Sequence, residues 1–289
     1  MDANTSMPTI RTLLLLGRVS NVPTVWSNCL AGWLLAGGGE WNRLAILSLA
    51  ASCLYVGGMY LNDAFDAPFD RQHRPERPIP SGAIGLPAVW AWGFVWLGAG
   101  LACLFLFGKT TLLWALLLAA AILLYDAVHK IFAVSPLLMA ACRGLLILLA
   151  ASTGREGVTG LSIWSALVMA GYIIGLSYLA RQETTLASLR YWPCVALGAP
   201  LVLAFIVNRG EHQLRAVLLG LALAVWMLRC LRFALWSAQR NIGRCVGGLL
   251  AAIPLVDLLS VWDGSPSIAL LFFALFALTL WFQRFVPPT

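Results

Sequence analysis

Apolar runs of about 18 residues or more recur from one end of this chain to the other, too many for a soluble core to absorb. With 61% of its 289 residues hydrophobic and 11% charged, the chain reads as a polytopic membrane protein. The runs are rich in Leu, Ala and Gly and lack the ten-residue alternation of a barrel. An all-α helical bundle is therefore expected, since a helix satisfies its own backbone polar groups in lipid. The expected spans are 21–38, 44–62, 86–107, 110–128, 134–152, 161–180, 191–207, 213–231, 241–262 and 267–284. The segment before the first span, MDANTSMPTIRT, is polar, and no small-residue cleavage site follows that span, so no signal peptide is expected.

Alternating spans sort the Lys and Arg residues unevenly. Thirteen fall on one side, among them Arg18, Arg71, Arg74, Arg77, Lys130, Arg181 and Arg232; Arg43, Lys109, Arg155, Arg209 and Arg215 fall on the other, and Arg143 sits inside a span. The excess assigns both termini to the cytoplasm. Asp63, Asp66, Asp70, Glu76, Asp126 and Glu183 lie on that same face. Orientation and contact with anionic membrane lipids account for the formal net charge of +7, and no nucleic-acid partner is expected. The seven cysteines stand singly in or beside apolar runs without C-x-x-C spacing and read as small core hydrophobes. Many tryptophans, such as Trp41, Trp164 and Trp236, stand near span ends as interfacial anchors.

Against this background the stretch LNDAFDAPFDRQHRPERPIPSG, residues 61–82, is out of place. If the second span continues as a helix through residue 70, then at about 100° per residue Asn62, Asp66, Asp70 and Asp63 fall at roughly 0°, 40°, 80° and 100°. Carboxylates so stacked repel one another and require compensation. A hard divalent cation such as Mg²⁺ supplies it, taking a few carboxylate oxygens together with waters and substrate phosphates. Arg71, Arg74 and Arg77 then offer forked donors suited to phosphate oxygens. The competing reading is a solvated loop whose charges pair with each other and with headgroups. The acids begin inside the helix, where ionisable groups are expensive and usually functional, and this favours a diphosphate site. Pro75, Pro78 and Pro80, followed by Ser81-Gly82, stop the helix and suggest a cap over the cytoplasmic mouth.

The motif N-D-A-F-D-A-P-F-D followed by R-P-E-R-P-I-P-S-G resembles the first Asp-rich motif of the UbiA superfamily of intramembrane prenyltransferases. Further stretches fit in order: G-R-V-S-N-V-P-T-V-W-S-N-C-L-A-G in the first span, Y-D-A-V-H-K at 125–130, C-R-G at 142–144 and N-I-G-R-C-V-G-G from 241. The resemblance covers roughly residues 11–262 of a single domain, 1–289, with the span at 267–284 as an addition to the family's usual nine. It implies Mg²⁺ on Asn62, Asp63, Asp66 and Asp70. It also implies an isoprenoid diphosphate held by Arg74, Arg77, Tyr125, Lys130 and Arg181, and transfer of its prenyl group to a lipophilic or aromatic acceptor. Asn28, Arg143 and Glu183 are candidate cavity residues. For Asn28 the competing role is a hydrogen bond to a neighbouring helix, for Arg143 internal pairing, and for Tyr125 interfacial anchoring. Asp257 reads as a buried structural acid paired with a basic or amide group; His73 and His129 read as interfacial.

One departure from the family matters most. Where the family carries a second motif, D-x-x-x-D, this chain has S-Y-L-A-R-Q-E-T-T-L-A-S-L-R at 177–190, with Glu183 as its one carboxylate and a fixed charge at Arg181. That pattern is most similar to the EboC-type branch, whose bacterial members imply an inner-membrane location. Two functions therefore stand: an Mg²⁺-dependent prenyltransferase, favoured by the intact first motif, and a non-catalytic carrier or binding protein for export of a small precursor metabolite, favoured by the missing second.

Overall fold

The computed structural model describes residues 8–182, 191–207, 213–237, 239–261 and 265–288. The described residues form helices α1 (Ile10–Leu16), α2 (Val22–Leu35), α3 (Trp41–His73), α4 (Leu86–Phe105), α5 (Lys109–Val128), α6 (Ser135–Ala151) and α7 (Gly160–Arg181). They continue as α8 (Trp192–Leu197), α9 (Ala199–Val207), α10 (Gln213–Leu235), α11 (Ile242–Ala251), α12 (Ile253–Ser260) and α13 (Pro266–Phe282), with a 3₁₀ turn at Val19–Asn21. Each expected span overlaps one helix or one pair of consecutive helices. Among the described residues, five helices, α3, α4, α5, α7 and α10, together with the α11–α12 pair, are long and apolar enough to cross a membrane. The protein is a multi-pass membrane protein.

Local sequence sets the helix starts. A proline stands in the first turn of α2, α4, α6, α8, α12 and α13, where its missing N–H would lack an intrahelical partner in any case. Pro254 also explains why the run at 241–262 is two helices meeting at Ala252. Carbonyls near that break accept hydrogen bonds from the bundle: the Tyr172 hydroxyl donates to Leu249 O at 2.8 Å and Trp226 Nε1 to Gly248 O at 2.9 Å.

The apolar span ends at 62, and the helix continues beyond it to His73 through an internal Pro68, as the stacking of the acids on one face requires. The added turns carry the acids, and cations from other parts of the fold compensate them, so the helix bears a charge density that would cost an isolated one dearly. Higher up, α3 lies almost backbone to backbone with α4. A Cβ on Gly57 would come 2.8 Å from Leu97 N and 2.9 Å from Gly93 O, so only glycine permits this approach.

Two large cores fill the bundle, one around Tyr172, Leu223 and Leu249, the other around Leu30, Leu54, Leu146 and Phe272. A third, smaller cluster joins Leu16 of α1, Tyr60 and Ala64 of α3, Ile79 and Ile84 of the following loop and Val89 of α4. The proline-rich loop after α3 is thereby anchored by two buried isoleucines against the helices beneath it, the geometry of a cap.

Candidate functional site

The last turns of α3 present Asn62, Asp63, Asp66 and Asp70 on one face, and all four are buried. Three segments converge on them. From the loop, Arg77 Nη1 reaches Asp63 Oδ1 at 3.1 Å and Asp70 Oδ2 at 3.5 Å. The loop can return because α3 stops at Arg74, whose backbone N–H caps the helix on Asp70 O, and because Gly82 turns with φ +76°.

From the amino-terminal side, Arg18 Nη2 lies 3.3 Å from Asn62 Oδ1 and 3.2 Å from Asp63 Oδ1. Arg18 is the one non-glycine residue with positive φ among the described residues, at φ 40° and ψ 47°. A left-handed arginine costs of order 1–3 kcal/mol and persists only where its surroundings over-determine it. Here the guanidinium is fixed by the acids, and its carbonyl accepts from the Tyr55 hydroxyl at 3.3 Å.

From the end of α5, Asp126 Oδ1 accepts from Asn62 Nδ2 at 3.1 Å, His129 Nε2 lies 3.1 Å from Asp66 Oδ1, and Lys130 Nζ lies 3.3 Å from Asp66 Oδ2. The Lys130 ammonium also sits 3.9 Å over the Phe69 ring, and Tyr125 stacks on His129 with centroids 5.0 Å apart.

Of the residues singled out in the sequence, Asn62, Asp63, Asp66, Asp70, Arg77, Tyr125 and Lys130 meet at this one end of α3. Arg74 is half-buried beside them, and its guanidinium pairs with no carboxylate among the described residues. Arg181 Nη1 donates to the carbonyls of Phe132 at 3.2 Å and Ala133 at 2.8 Å and to Ser135 Oγ at 3.2 Å, on the α5–α6 connection. Glu183 lies outside the described residues. Asn28 and Arg143 belong to a separate buried network: Arg143 donates to Asn28 Oδ1 at 2.8 Å and to Thr24 Oγ1 at 2.9 Å. Asn28 Nδ2 donates to Asp257 Oδ2 at 2.8 Å, and the Ser27 hydroxyl donates to the same carboxylate. Asp257 has the amide partner expected of it.

Arg18, Asp126 and His129 are the residues that sequence reasoning missed as site members. For the latter two the signal was present: with Lys130 they stand at i, i+3 and i+4, one face of the α5 terminus. Arg18 gives no such signal, since its partners lie more than forty residues away and its left-handed backbone is not legible in G-R-V-S-N.

Among the described residues, no three His, Cys, Asp or Glu side chains already converge as a metal site. Asp70 Oδ1 and Asp126 Oδ2 are nevertheless buried without a hydrogen-bond partner, an arrangement that costs free energy unless something fills it. Hard oxygen donors with spare capacity, next to guanidiniums, fit Mg²⁺ whose shell is completed by phosphate oxygens and water.

The chain is thus a helical bundle of membrane-length apolar helices with a buried acidic face, ringed by arginines, a lysine and a histidine at one end. Residues 22–237 match the UbiA prenyltransferase family, and the chain belongs to that family. The digeranylgeranylglyceryl phosphate synthase of Metallosphaera sedula is 33% identical over 84 residues, 29% of this chain and 30% of that protein. The synthase of the same name from Methanothrix thermoacetophila is 31% identical over 118 residues, 40% of this chain and 44% of that one. The chain thus spans about a third to under half the length of these curated relatives. Among solved structures, a digeranylgeranylglyceryl phosphate synthase superimposes with a TM-score of 0.61 at 18% identity, covering 87% of this chain and 97% of that one. A UbiA homologue from Archaeoglobus fulgidus, solved with GPP and Mg²⁺, gives 0.53 at 15% identity, covering 95% and 97%. At these identities the structures show the shared fold.

Proposed function

We propose that this protein transfers a prenyl group from an isoprenoid diphosphate to a lipophilic acceptor within the membrane, using the acidic face of α3. The observation that carries this reading is the ring of Arg18, Arg77, His129 and Lys130 around Asn62, Asp63, Asp66 and Asp70. Counted as charges, Asp63, Asp66 and Asp70 balance Arg18, Arg77 and Lys130 three to three. A near-neutral cluster cannot by itself hold a diphosphate, so a further cation must enter with it. Mg²⁺ on Asn62, Asp66 and Asp70 would supply Lewis-acid stabilisation of the charge that develops on the leaving diphosphate.

This chain's own groups do the rest. Arg77 and Arg18 exchange carboxylate oxygens for phosphate oxygens, presenting guanidinium forks that match them. Half-buried Arg74 adds a third fork from the base of the cap. Asn62 stays oriented by its bond to Asp126, and His129 and Lys130 hold Asp66 in register. The loop at 74–85, docked through Ile79 and Ile84, limits water at the reacting carbon, which an allylic cation requires. The α3 terminus and both chain termini face the cytoplasm of a bacterial inner membrane in this reading.

The carrier reading, which accompanies the EboC-type resemblance, draws support from one feature. Asp63, Asp66 and Asp70 each already have a side-chain cation within 3.5 Å, and the segment at 177–190 supplies no aspartate to hold a second metal. The deciding experiment measures diphosphate release from a labelled prenyl diphosphate by the full chain in nanodiscs, with a lipid extract as acceptor pool. Release that depends on Mg²⁺ and disappears in Asp66→Asn supports the transferase. Binding of the prenyl diphosphate without release supports the carrier.

A further inference from the structure

At the same end of the bundle as the acidic cluster, by the alternation of the spans, α10 ends and α11 begins. Between Glu211 and Asp257 the chain carries five arginines and no acidic residue. Arg229, Arg232 and Arg244 are exposed there and pair with no carboxylate among the described residues, unlike Arg18 and Arg77. Two of the three are held by rings. The Arg244 guanidinium lies 4.3 Å from the Phe233 centroid, and that of Arg229 lies 5.4 Å from the Trp226 centroid. Trp226 is itself fixed by its bond to Gly248 O. Stacking orients a guanidinium while leaving its in-plane N–H donors free, so much of the ordering cost of binding an anion is already met.

What lies beneath the arginines identifies the anion. Leu214, Leu218, Leu221, Val225 and Leu228 are all exposed and follow one another at i+4 and i+3 steps along α10, and the next step of that stripe is Arg232. From Leu214 to Arg232 the stripe and its cap run about 27 Å, close to the hydrocarbon thickness. Exposed Trp236 stands one turn beyond Arg232, the position of a headgroup-level anchor. A cationic cluster capping a membrane-length apolar stripe matches an acyl chain with a phosphate at its head.

We propose that Arg229, Arg232 and Arg244 form a binding site for the phosphate headgroup of an anionic membrane lipid, whose acyl chain lies along the α10 stripe. The site is independent of the acidic cluster and of the reaction proposed for it. Native mass spectrometry of the full chain, titrated with phosphatidylglycerol or phosphatidylcholine, tests it. Wild type should retain phosphatidylglycerol preferentially, and each Arg→Gln substitution at 229, 232 or 244 should weaken that retention by about fivefold. Arg→Lys at the same positions should keep most of it, which serves if the Gln variants fold poorly. Arg43→Gln, which removes a ring-stacked arginine at the opposite end, should change nothing. Equal loss in Arg43→Gln, or equal retention of both lipids by wild type, would overturn the proposal. So would displacement of the lipid by inorganic diphosphate, which would make this a site for soluble phosphates.

Discussion

Asp257 and Arg143 are both buried, on α12 and α6, yet they do not touch; Asn28 of α2 stands between them, accepting from the guanidinium and donating to the carboxylate. If the two charges neutralise each other through that amide, removing either one strands the other. Asp257→Asn keeps the shape of the side chain and leaves an uncompensated guanidinium, so it should cost about 3–5 kcal/mol. Arg143→Gln should cost a similar amount, because it frees Asn28 Oδ1 and Thr24 Oγ1 and leaves the carboxylate alone. The double variant removes both charges, and its loss should fall short of the sum by about 1–3 kcal/mol. Reversible unfolding in mixed micelles, followed by circular dichroism, reads all four corners of the cycle. If Asp257→Asn costs less than about 1 kcal/mol, the range measured for ordinary hydrogen bonds between membrane helices, the carboxyl carries no stranded charge and the reasoning fails. Additivity within about 0.5 kcal/mol would refute the coupling even if both single losses are large.

Other consequences are simpler to state. Arg18→Gly should relieve left-handed strain but withdraw one of the two guanidiniums on buried Asp63, so the two effects offset and stability should stay within about 1–2 kcal/mol of wild type, while prenyl diphosphate binding weakens about tenfold or more; unchanged binding by calorimetry would remove Arg18 from the site. Gly57→Val should separate α3 from α4 and lower unfolding stability by about 1–3 kcal/mol or more, whereas Gly98→Ala, which meets no atom within 4 Å, should be tolerated. Tyr172→Phe should cost about 1 kcal/mol through loss of the hydroxyl's bond to Leu249 O, which keeps its bond from Ala252 N–H, read in the same unfolding assay.

Helical periodicity makes the acidic face legible in the sequence alone, because the angles of Asn62, Asp63, Asp66 and Asp70 follow from spacing once the helix is allowed to continue. Hydropathy places that helix's end too early. It scores each residue alone, whereas Asp63 and Asp66 are tolerated on account of Arg18, Arg77 and Lys130, which other segments supply. The same limit hides Arg18, whose role depends on one unusual backbone conformation. Pro254 announces the break between α11 and α12 in plain sequence, but an unbroken apolar run masks it. Arg181 shows the converse: its charge is legible, while its carbonyl partners at 132 and 133 depend on how a turn folds.

The length of α3 carries a final implication. Its 33 residues extend about 50 Å, and Asn62 lies about 32 Å from the start at Trp41, close to the full depth of a bilayer's oily layer. The charged face therefore begins where oil gives way to water. A molecule with a phosphorylated head and a hydrocarbon tail can meet this protein without either half leaving its preferred solvent. Under the proposed function the helix works as a phase-transfer agent, and the boundary it straddles sorts such molecules before any bond is made or broken.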